Sequence, residues 1–141
     1  MTPSANCYAL IKQFEGLRLT AYRDSVGVWT IGYGSTRDIH EGMVISQEQA
    51  DAKLVADVGG AAHCVNTAVK SVLTQNQFDA LVSFVFNVGC EAFTSSTMLR
   101  DVNAENFLAA GNGFLRWIRA GNAVLPGLVQ RRLAEKKVFQ T

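Results

Sequence analysis

Two carboxylic acids and a hydroxyl lie near one another in the N-terminal part of the sequence, at Glu15, Asp24 and Thr30. Their types suit hydrolysis of a glycosidic bond. That reaction needs one protonated carboxyl to donate to the leaving oxygen and an ionised one to activate water or stabilise positive charge on the sugar. A threonine hydroxyl can orient the attacking water. Taken alone, such a pair of acids is more often solvated surface charge than a catalytic site.

The neighbours of the two acids predict different environments for them. Phe14 ends an apolar stretch beside Glu15, and apolar surroundings disfavour the charged form of a carboxyl. Glu15 also falls at the C-terminal end of the first predicted helix, where the helix dipole opposes a negative charge. Asp24 lies between Arg23 and Ser25, in a more polar stretch. We therefore predict Glu15 as the proton donor and Asp24 as its ionised partner.

A helix followed by a hairpin is predicted to position these groups. Apolar residues recur on one face of a helix over residues 3–14, as the helical period requires. Residues 17–34 are rich in β-branched and aromatic types with glycines at likely bends, which favours a small antiparallel sheet. Asp24 would lie at its turn and Thr30 on the next strand, both facing Glu15. The alternative for Thr30 is an ordinary strand residue.

The rest of the chain is predicted to be mostly helical. Capping-box patterns at Ser46–Gln49 and Thr74–Gln77 begin two helices. Gly59 and Gly60 are expected to break the first, which resumes over residues 63–72. The second, ended by Gly89, is expected to be the central buried helix. Further helices are predicted over residues 96–101, 104–118 and 126–138. One small sheet with many helices indicates an α+β architecture.

Three sequence blocks resemble one known family. In Ile11–Gly34, the letters EG are followed by D and then by TIGYG, which resembles the catalytic signature of the phage-type lysozymes, glycoside hydrolase family 24. The resemblance continues over residues 73–100 and 114–139. It implies a single lysozyme-like domain over 1–141, with a small antiparallel β-lobe at about 15–45. The helical lobe would comprise about 46–141 plus the N-terminal helix, with the catalytic cleft between the lobes.

The same resemblance implies a reaction and a substrate. Members of this family are endolysins, which cleave the β-1,4 bond between N-acetylmuramic acid and N-acetylglucosamine in peptidoglycan and so lyse the host cell. Glu15 would be the general acid, with Asp24 and Thr30 positioning water on the opposite face. An inverting enzyme should hold its carboxyls about 6.5 to 9.5 Å apart, whereas about 5 Å would favour a covalent route.

Substrate-binding residues are also implied by the resemblance. Phe86 and Asn87 correspond to the cleft wall, and Ser96 to the lining of the sugar site. Many family members have a histidine after TIGYG, where this chain has Ser35 and Thr36. We therefore do not assume the contribution of that histidine here. No metal and no organic cofactor are expected.

The cysteines allow two interpretations. Cys7, Cys64 and Cys90 cannot all pair within one chain, and none lies at metal-ligand spacing with His40 or His63. Buried free thiols are the main prediction, and one disulfide formed in an oxidising compartment is the alternative. Both histidines are predicted to be surface or capping residues.

Composition restricts the partners of the protein. The chain has 141 residues, 48% of them hydrophobic, and a formal net charge of +1. Arg and Lys are concentrated from Arg116 onward, opposed only by Glu135. We favour the solvated face of a terminal helix over a site for an anionic polymer such as the bacterial wall. No nucleic-acid-binding motif accompanies the charges, so no nucleic-acid partner is expected.

No membrane insertion is expected, because no apolar run is long enough to span a bilayer. The N-terminus lacks the pattern of a secretory signal, and a signal anchor is either absent or was removed. We expect a monomer that is made in the host cytoplasm and acts on the wall in the periplasm after release, which could require a holin.

Two other functions remain open at this stage. A lytic transglycosylase would break the same bond without water and leave a 1,6-anhydro sugar. A non-enzymatic protein would instead perturb membranes through its basic C-terminal helix.

Overall fold

The computed structural model describes residues 1–141 and consists of seven α-helices with two small antiparallel sheets. In chain order the elements are α1 (Ala5–Glu15), β1 (Arg18–Arg23), β2 (Trp29–Gly32), α2 (Gln47–Ala68), α3 (Gln75–Val88), α4 (Cys90–Thr94), α5 (Thr97–Asn103), α6 (Phe107–Gly113), a 3-10 turn (Phe114–Arg116), β3 (Arg119–Ala120), β4 (Ala123–Val124) and α7 (Pro126–Phe139). The predicted α+β class is confirmed by this arrangement.

Helix α1 is fixed at its start by a buried carboxylate of α3. The backbone N–H of Ser4 donates to Asp79 Oδ1 at 3.1 Å, and the Ser4 hydroxyl donates to Oδ2. Gln75 Nε2 donates to the same Oδ1 at 2.9 Å, so the buried charge is fully hydrogen-bonded. The predicted start at residue 3 is wrong by two residues, because Ser4 has extended backbone and makes this contact. The helix ends at Glu15, one residue beyond the predicted range, and Glu15 lies at its C-terminal end as predicted.

The first sheet is the predicted hairpin. Strands β1 and β2 pair antiparallel, with Tyr22 opposite Thr30. In the turn, Asp24 Oδ1 accepts backbone N–H groups from Val26 at 3.0 Å and Val28 at 2.8 Å. Asp side chains favour turns because they can hydrogen-bond the following backbone in this way. The structure thus confirms Asp24 at the turn and Thr30 on the second strand.

Helix α3 forms the centre of the hydrophobic core, as predicted. Both expected capping boxes are present, at the starts of α2 and α3. Phe78, Leu81 and Phe84 of α3 are fully buried. The Phe84 ring makes edge-on contacts with three aromatic rings from later segments, Phe93, Phe114 and Trp117. Helices α1, α2 and α7 all pack on α3, so this helix sets the relative positions of the helices that border the cleft.

The predicted break in α2 is wrong, because the helix runs without interruption through Gly59 and Gly60. Each interior glycine costs about 1 kcal/mol relative to alanine. Burying a Val or Leu side chain fully stabilises the fold by about 1.5–3 kcal/mol. Burial of the residues of α2 that face the core therefore outweighs the cost of the two glycines. The buried residues are Ala50, Leu54, Val58, Ala61, Ala62, Cys64 and Val65.

The helix predicted over 104–118 is also wrong in its length. Glu105 has a positive φ of 59°, which an α-helix does not accommodate, and Asn106 then caps a shorter α6. A 3-10 turn and a small hairpin around Gly121 follow. The helices predicted over 96–101 and 126–138 correspond to α5 and α7, with bounds that differ by at most two residues.

Two of the three cysteines are paired. Cys64 and Cys90 form a disulfide with a Cα–Cα distance of 5.9 Å, which links α2 to the start of α4. The main prediction of three free thiols is therefore wrong, because packing of α2 on α3 brings together residues that are 26 positions apart. Cys7 is free and buried, as predicted.

The Cys7 thiol should make stability depend on alkaline pH. Burial raises its pKa from 9.0 to about 12, with further contributions from the charges of Asp79 and Glu135. A group with a raised pKa stabilises the folded chain below its unfolded pKa, and this contribution is lost as pH rises towards the folded pKa. We expect Cys7→Ala to reduce the loss of unfolding free energy between about pH 9 and 12, measured by urea denaturation. Parallel pH profiles of the two proteins would contradict this.

Candidate active site

A cleft of about 640 Å³ opens between the first hairpin and the helices. Glu15, Asp24 and Thr30 all line it, although they come from the end of α1, the hairpin turn and β2. The remaining lining residues are Tyr22, Gly34, Thr36, Arg37, Asp57, Gly60, Ala61, Val85, Phe86, Asn87 and Cys90. The structure therefore gathers the three predicted catalytic side chains at one concave surface.

The Glu15 carboxyl is held by an arginine from the far end of the chain. Its Oε1 accepts from Arg131 Nη1 at 2.9 Å, and the side chain is 19% exposed. Its Oε2 lies beside Gly34, where an added Cβ would be 3.1 Å from that oxygen. One oxygen is thus paired with a buried cation while the other lies beside a cleft residue. The predicted apolar surroundings of Glu15 are therefore only part of its environment.

Arg131 belongs to a buried charge cluster on α7. Its Nε donates to Glu135 Oε2 at 3.2 Å, and Arg132 Nη1 donates to Glu135 Oε1. The Ser83 hydroxyl also donates to Glu135 Oε2, at 2.6 Å. These two arginines and Glu135 are each 3% exposed or less. Burial lowers the pKa of Arg132, while the charge of Glu135 opposes that shift.

The prediction that the basic residues of the terminal helix form a solvated face is therefore wrong for Arg131 and Arg132, which are buried. Glu135 follows them by four and three positions, and residues at that spacing share one face of a helix. The same spacing suits an exposed ion pair, so the sequence alone did not distinguish the two cases. The deciding partners, Glu15 and Ser83, lie far away in the chain.

The cluster also reaches the cleft wall. Arg132 Nη2 donates to Asn87 Oδ1, and its Nε donates to the carbonyl of Trp117 at 2.9 Å. Asn87 and the half-buried Phe86 both line the cleft. These two predicted substrate-binding residues are thus placed together at the end of α3.

Ser96, the third predicted substrate-binding residue, is not brought to the cleft. It is buried at the start of α5 and lies outside the set of residues that line the cleft. Its hydroxyl donates to the carbonyl of Phe93 at 2.6 Å and accepts the N–H of Leu99 at 3.1 Å. Ser96 is therefore a helix cap, because serine oxygens satisfy the free N–H groups at a helix start.

On the other side of the cleft, Asp24 and Thr30 have part of their hydrogen-bonding capacity free. Asp24 Oδ1 is occupied by the turn, and Oδ2 makes no hydrogen bond within the protein. The Thr30 hydroxyl donates to the carbonyl of Val28 at 2.9 Å. Because the proton of Thr30 is used, its oxygen is left to accept a hydrogen bond. Each of the two side chains can therefore accept a further hydrogen bond in the cleft.

Two charged residues that line the cleft, Asp57 and Arg37, were not predicted as site residues. The Ser35 hydroxyl donates to Asp57 Oδ2 at 2.6 Å, so the residue in the histidine position ties β2 and its turn to α2. Asp57 lines the cleft together with Arg37, the only basic side chain there. An isolated acid on a helix and an isolated arginine in a loop carry no sequence signal of a site.

No three His, Cys, Asp or Glu side chains are grouped so that they could hold a metal ion. None of the helices combines the length and the apolar composition that crossing a bilayer requires.

Comparison with known proteins assigns the family. The family model described as phage lysozyme matches residues 12–135, which include all three predicted catalytic residues. This chain belongs to the phage lysozyme family. The resemblance inferred from the sequence is thereby confirmed, and the protein is a lysozyme-type glycoside hydrolase.

Individual relatives agree with this assignment. The lysozyme is 46% identical to the endolysin of Acyrthosiphon pisum secondary endosymbiont phage 1, over 94% of this chain and 93% of that protein. It is 47% identical to the endolysin of Bacillus phage B103 over 94% of its own length, but it spans about half of that longer protein, 51%. A solved structure, the muramidase domain of SpmX from Asticaccaulis excentricus, superposes with a TM-score of 0.94 at 44% identity, covering 99% of this chain and 98% of that one.

Gly34 should be required for the position of Glu15. It has a φ of +92°, and an added Cβ would press on Glu15 Oε2. Gly42, with a φ of +83° and no atom within 4 Å of an added Cβ, provides a matched control. We expect Gly34→Ala and Gly42→Ala to lose similar stability, about 1–2 kcal/mol. Only Gly34→Ala should also lose wall-degrading activity, measured by clearing of a cell-wall suspension. Equal activities at equal folded fraction would contradict the proposed contact.

Glu135 should be required for the stability of the lysozyme. Glu135→Gln leaves Arg131 and Arg132 buried without their shared counter-charge. Breaking a buried ion pair costs about 3–5 kcal/mol, and we expect a loss of that size in urea unfolding. Glu41→Gln, at an exposed position, should stay within about 0.5 kcal/mol of the parent. A loss below about 1 kcal/mol for Glu135→Gln would show that the cluster does not depend on it.

Proposed function

We propose that this lysozyme hydrolyses the β-1,4 bond between N-acetylmuramic acid and N-acetylglucosamine in peptidoglycan. Glu15 is the general acid, and Asp24 with Thr30 positions and activates the attacking water. The observation that supports this most directly is the convergence of these three side chains on one cleft. The endolysins and the muramidase domain to which the chain is similar support the substrate.

In the proposed reaction, the Glu15 oxygen that is not paired with Arg131 carries the proton. This proton passes to the glycosidic oxygen while the bond from that oxygen to the sugar C1 breaks. The oxygen of water forms the new bond to C1, and Asp24 accepts the proton that water releases. Arg131 stabilises the carboxylate that forms on Glu15, because the two lie 2.9 Å apart in a buried setting. Exchange of protons with solvent then restores both acids.

The free acceptors of the hairpin explain how water would be oriented. A water molecule has two hydrogens, and Asp24 Oδ2 with Thr30 Oγ1 offers one acceptor for each. Donating both hydrogens directs an oxygen lone pair away from the hairpin and towards the sugar. Since Asp24 Oδ1 is fixed by two backbone N–H groups, the free oxygen has a defined position, which lowers the entropic part of the barrier.

Neither alternative function is favoured by these contacts. A lytic transglycosylase uses no water, so a hydroxyl acceptor beside Asp24 would have no purpose. A membrane-perturbing helix needs exposed cations, yet Arg131 and Arg132 of α7 are buried. We further propose that the protein acts as a monomer on the wall in the periplasm, after synthesis in the host cytoplasm and release that involves a holin. The endolysin relatives support action on the wall.

Replacement of Glu15 by glutamine tests the proposed reaction. Glu15→Gln keeps an oxygen that can accept from Arg131 but provides no acidic proton. We expect wall degradation to fall by about 10²–10⁴-fold, while the thermal unfolding midpoint shows that the fold is intact. Products of the parent enzyme, analysed by mass spectrometry, should carry hydrated reducing ends. Anhydro ends would instead assign a transglycosylase, and full lysis by folded Glu15→Gln would exclude this catalytic role.

A further inference from the structure

A small pocket among the later helices lies outside the catalytic cleft. It has a volume of about 210 Å³ and is lined by Thr97, Met98, Gly113, Arg116 and Trp117. None of these residues lines the cleft. The proposed hydrolysis makes no use of the pocket, so its side chains are available to another ligand.

The polar side chains at the pocket are hydrogen-bond donors. Arg100 Nη2 donates to the Thr97 hydroxyl oxygen at 3.1 Å, which leaves the hydroxyl proton free to donate. Arg116 and Trp117 line the same space, and the guanidinium and indole groups only donate. No carboxylate lines the pocket. Its chemistry therefore favours a ligand that is rich in acceptors.

The two arginines at the pocket have no counter-charge. Arg100 on α5 and Arg116 in the 3-10 turn are both exposed, and neither takes part in an ion pair of the protein. The nearest acids along the chain, Asp101 and Glu105, pair with neither of them. Thr97 connects the two arginines, because it accepts from Arg100 and lines the pocket with Arg116. Two uncompensated positive charges beside one small pocket attract an anion.

Trp117 adds an aromatic surface in a fixed position. Its ring meets the buried Phe84 ring edge-on, with centroids 5.5 Å apart, and its carbonyl accepts from Arg132 Nε at 2.9 Å. The side chain is half-buried, so part of it is accessible. Gly113 lines the pocket without a side chain that would fill it. Tryptophan suits a ligand with both apolar and polar groups, as a sugar ring has.

We propose that this pocket binds a phosphate monoester carried by a sugar. Such a group has a charge of about −1.5 to −2 at pH 7 and three strong acceptor oxygens. Two guanidinium groups match that charge, and the Thr97 hydroxyl provides a further donor. A carboxylate has a single charge and two oxygens, both of which one arginine can bind in a bidentate pair. It would therefore leave the second arginine uncompensated.

The site goes beyond the proposed hydrolysis, because it gives the enzyme a second point of attachment. Phosphate monoesters on sugars occur in bacterial lipopolysaccharide and in soluble sugar phosphates. An enzyme that holds an envelope phosphate in this pocket and a glycan in the cleft binds through two linked contacts. Such linkage raises the effective concentration of the enzyme at its substrate.

Titration of the isotope-labelled protein with glucose 6-phosphate, followed by NMR, tests the pocket. We expect saturable shifts of the Gly113 amide and the Trp117 indole N–H, because both residues line it. Glucose and sodium acetate, at equal ionic strength, should leave these signals almost unchanged. The absence of saturable shifts with glucose 6-phosphate would overturn the site, and equal shifts with acetate would overturn its preference for phosphate.

Arginine variants separate the pocket from general attraction to positive charge. Arg100→Gln and Arg116→Gln should each raise the Kd for glucose 6-phosphate by about tenfold, because each removes a charged donor. Arg119→Gln is the matched control, since Arg119 is exposed nearby in the chain but does not line the pocket. Thermal unfolding midpoints establish that the variants are folded. A loss of the same size for all three variants would refute a defined site.

Competition experiments identify the source of the ligand. Lipopolysaccharide that displaces glucose 6-phosphate, and no longer does so after enzymatic dephosphorylation, would assign an envelope ligand and support the attachment role. Failure of lipopolysaccharide to compete would overturn that role and assign a soluble sugar phosphate. Cleavage of soluble peptidoglycan fragments by the parent enzyme is a separate measurement, so failure of the muramidase proposal is distinguishable from failure of this one.

Discussion

The buried ion pair between Arg131 and Glu15 is the contact on which the rest of the site depends. Charges removed from water are costly unless they are paired and hydrogen-bonded. Arg131 meets that requirement with Glu15 on one side and Glu135 on the other, while Arg132 completes the cluster and holds Asn87. Movement of Glu15, the proposed general acid, would therefore remove one of the two carboxylates that neutralise Arg131.

Two buried polar contacts fix the helix that carries this acid. Asp79 of α3 holds Ser4 at the start of α1, and Arg131 of α7 holds Glu15 at its end. Both partner helices pack on the same core, in which α3 is central. The position of the proposed general acid is thus held by the packing of whole helices.

The hairpin supports its own side of the cleft by local means. Backbone N–H groups of the turn fix one oxygen of Asp24, and a backbone carbonyl takes the proton of Thr30. Ser35 then ties this region to Asp57 of α2, while Gly34 leaves space for Glu15. Glu15 and the pair formed by Asp24 and Thr30 thus belong to separately stabilised parts of the molecule, and the cleft lies where these parts meet.

The sequence by itself determined those features that depend on neighbouring residues. Asp24 at a turn, Thr30 on the following strand and Glu15 at a helix end all follow from local hydrogen-bonding and conformational preferences. The two capping boxes were predictable for the same reason. Tertiary structure alone decided the burial of Arg131, whose partner Glu15 is 116 positions away. It also decided the Cys64–Cys90 pairing and the uninterrupted course of α2. Burial of a charge, closure of a disulfide and tolerance of glycines within a helix depend on which distant surfaces pack together, and local sequence patterns do not specify those surfaces.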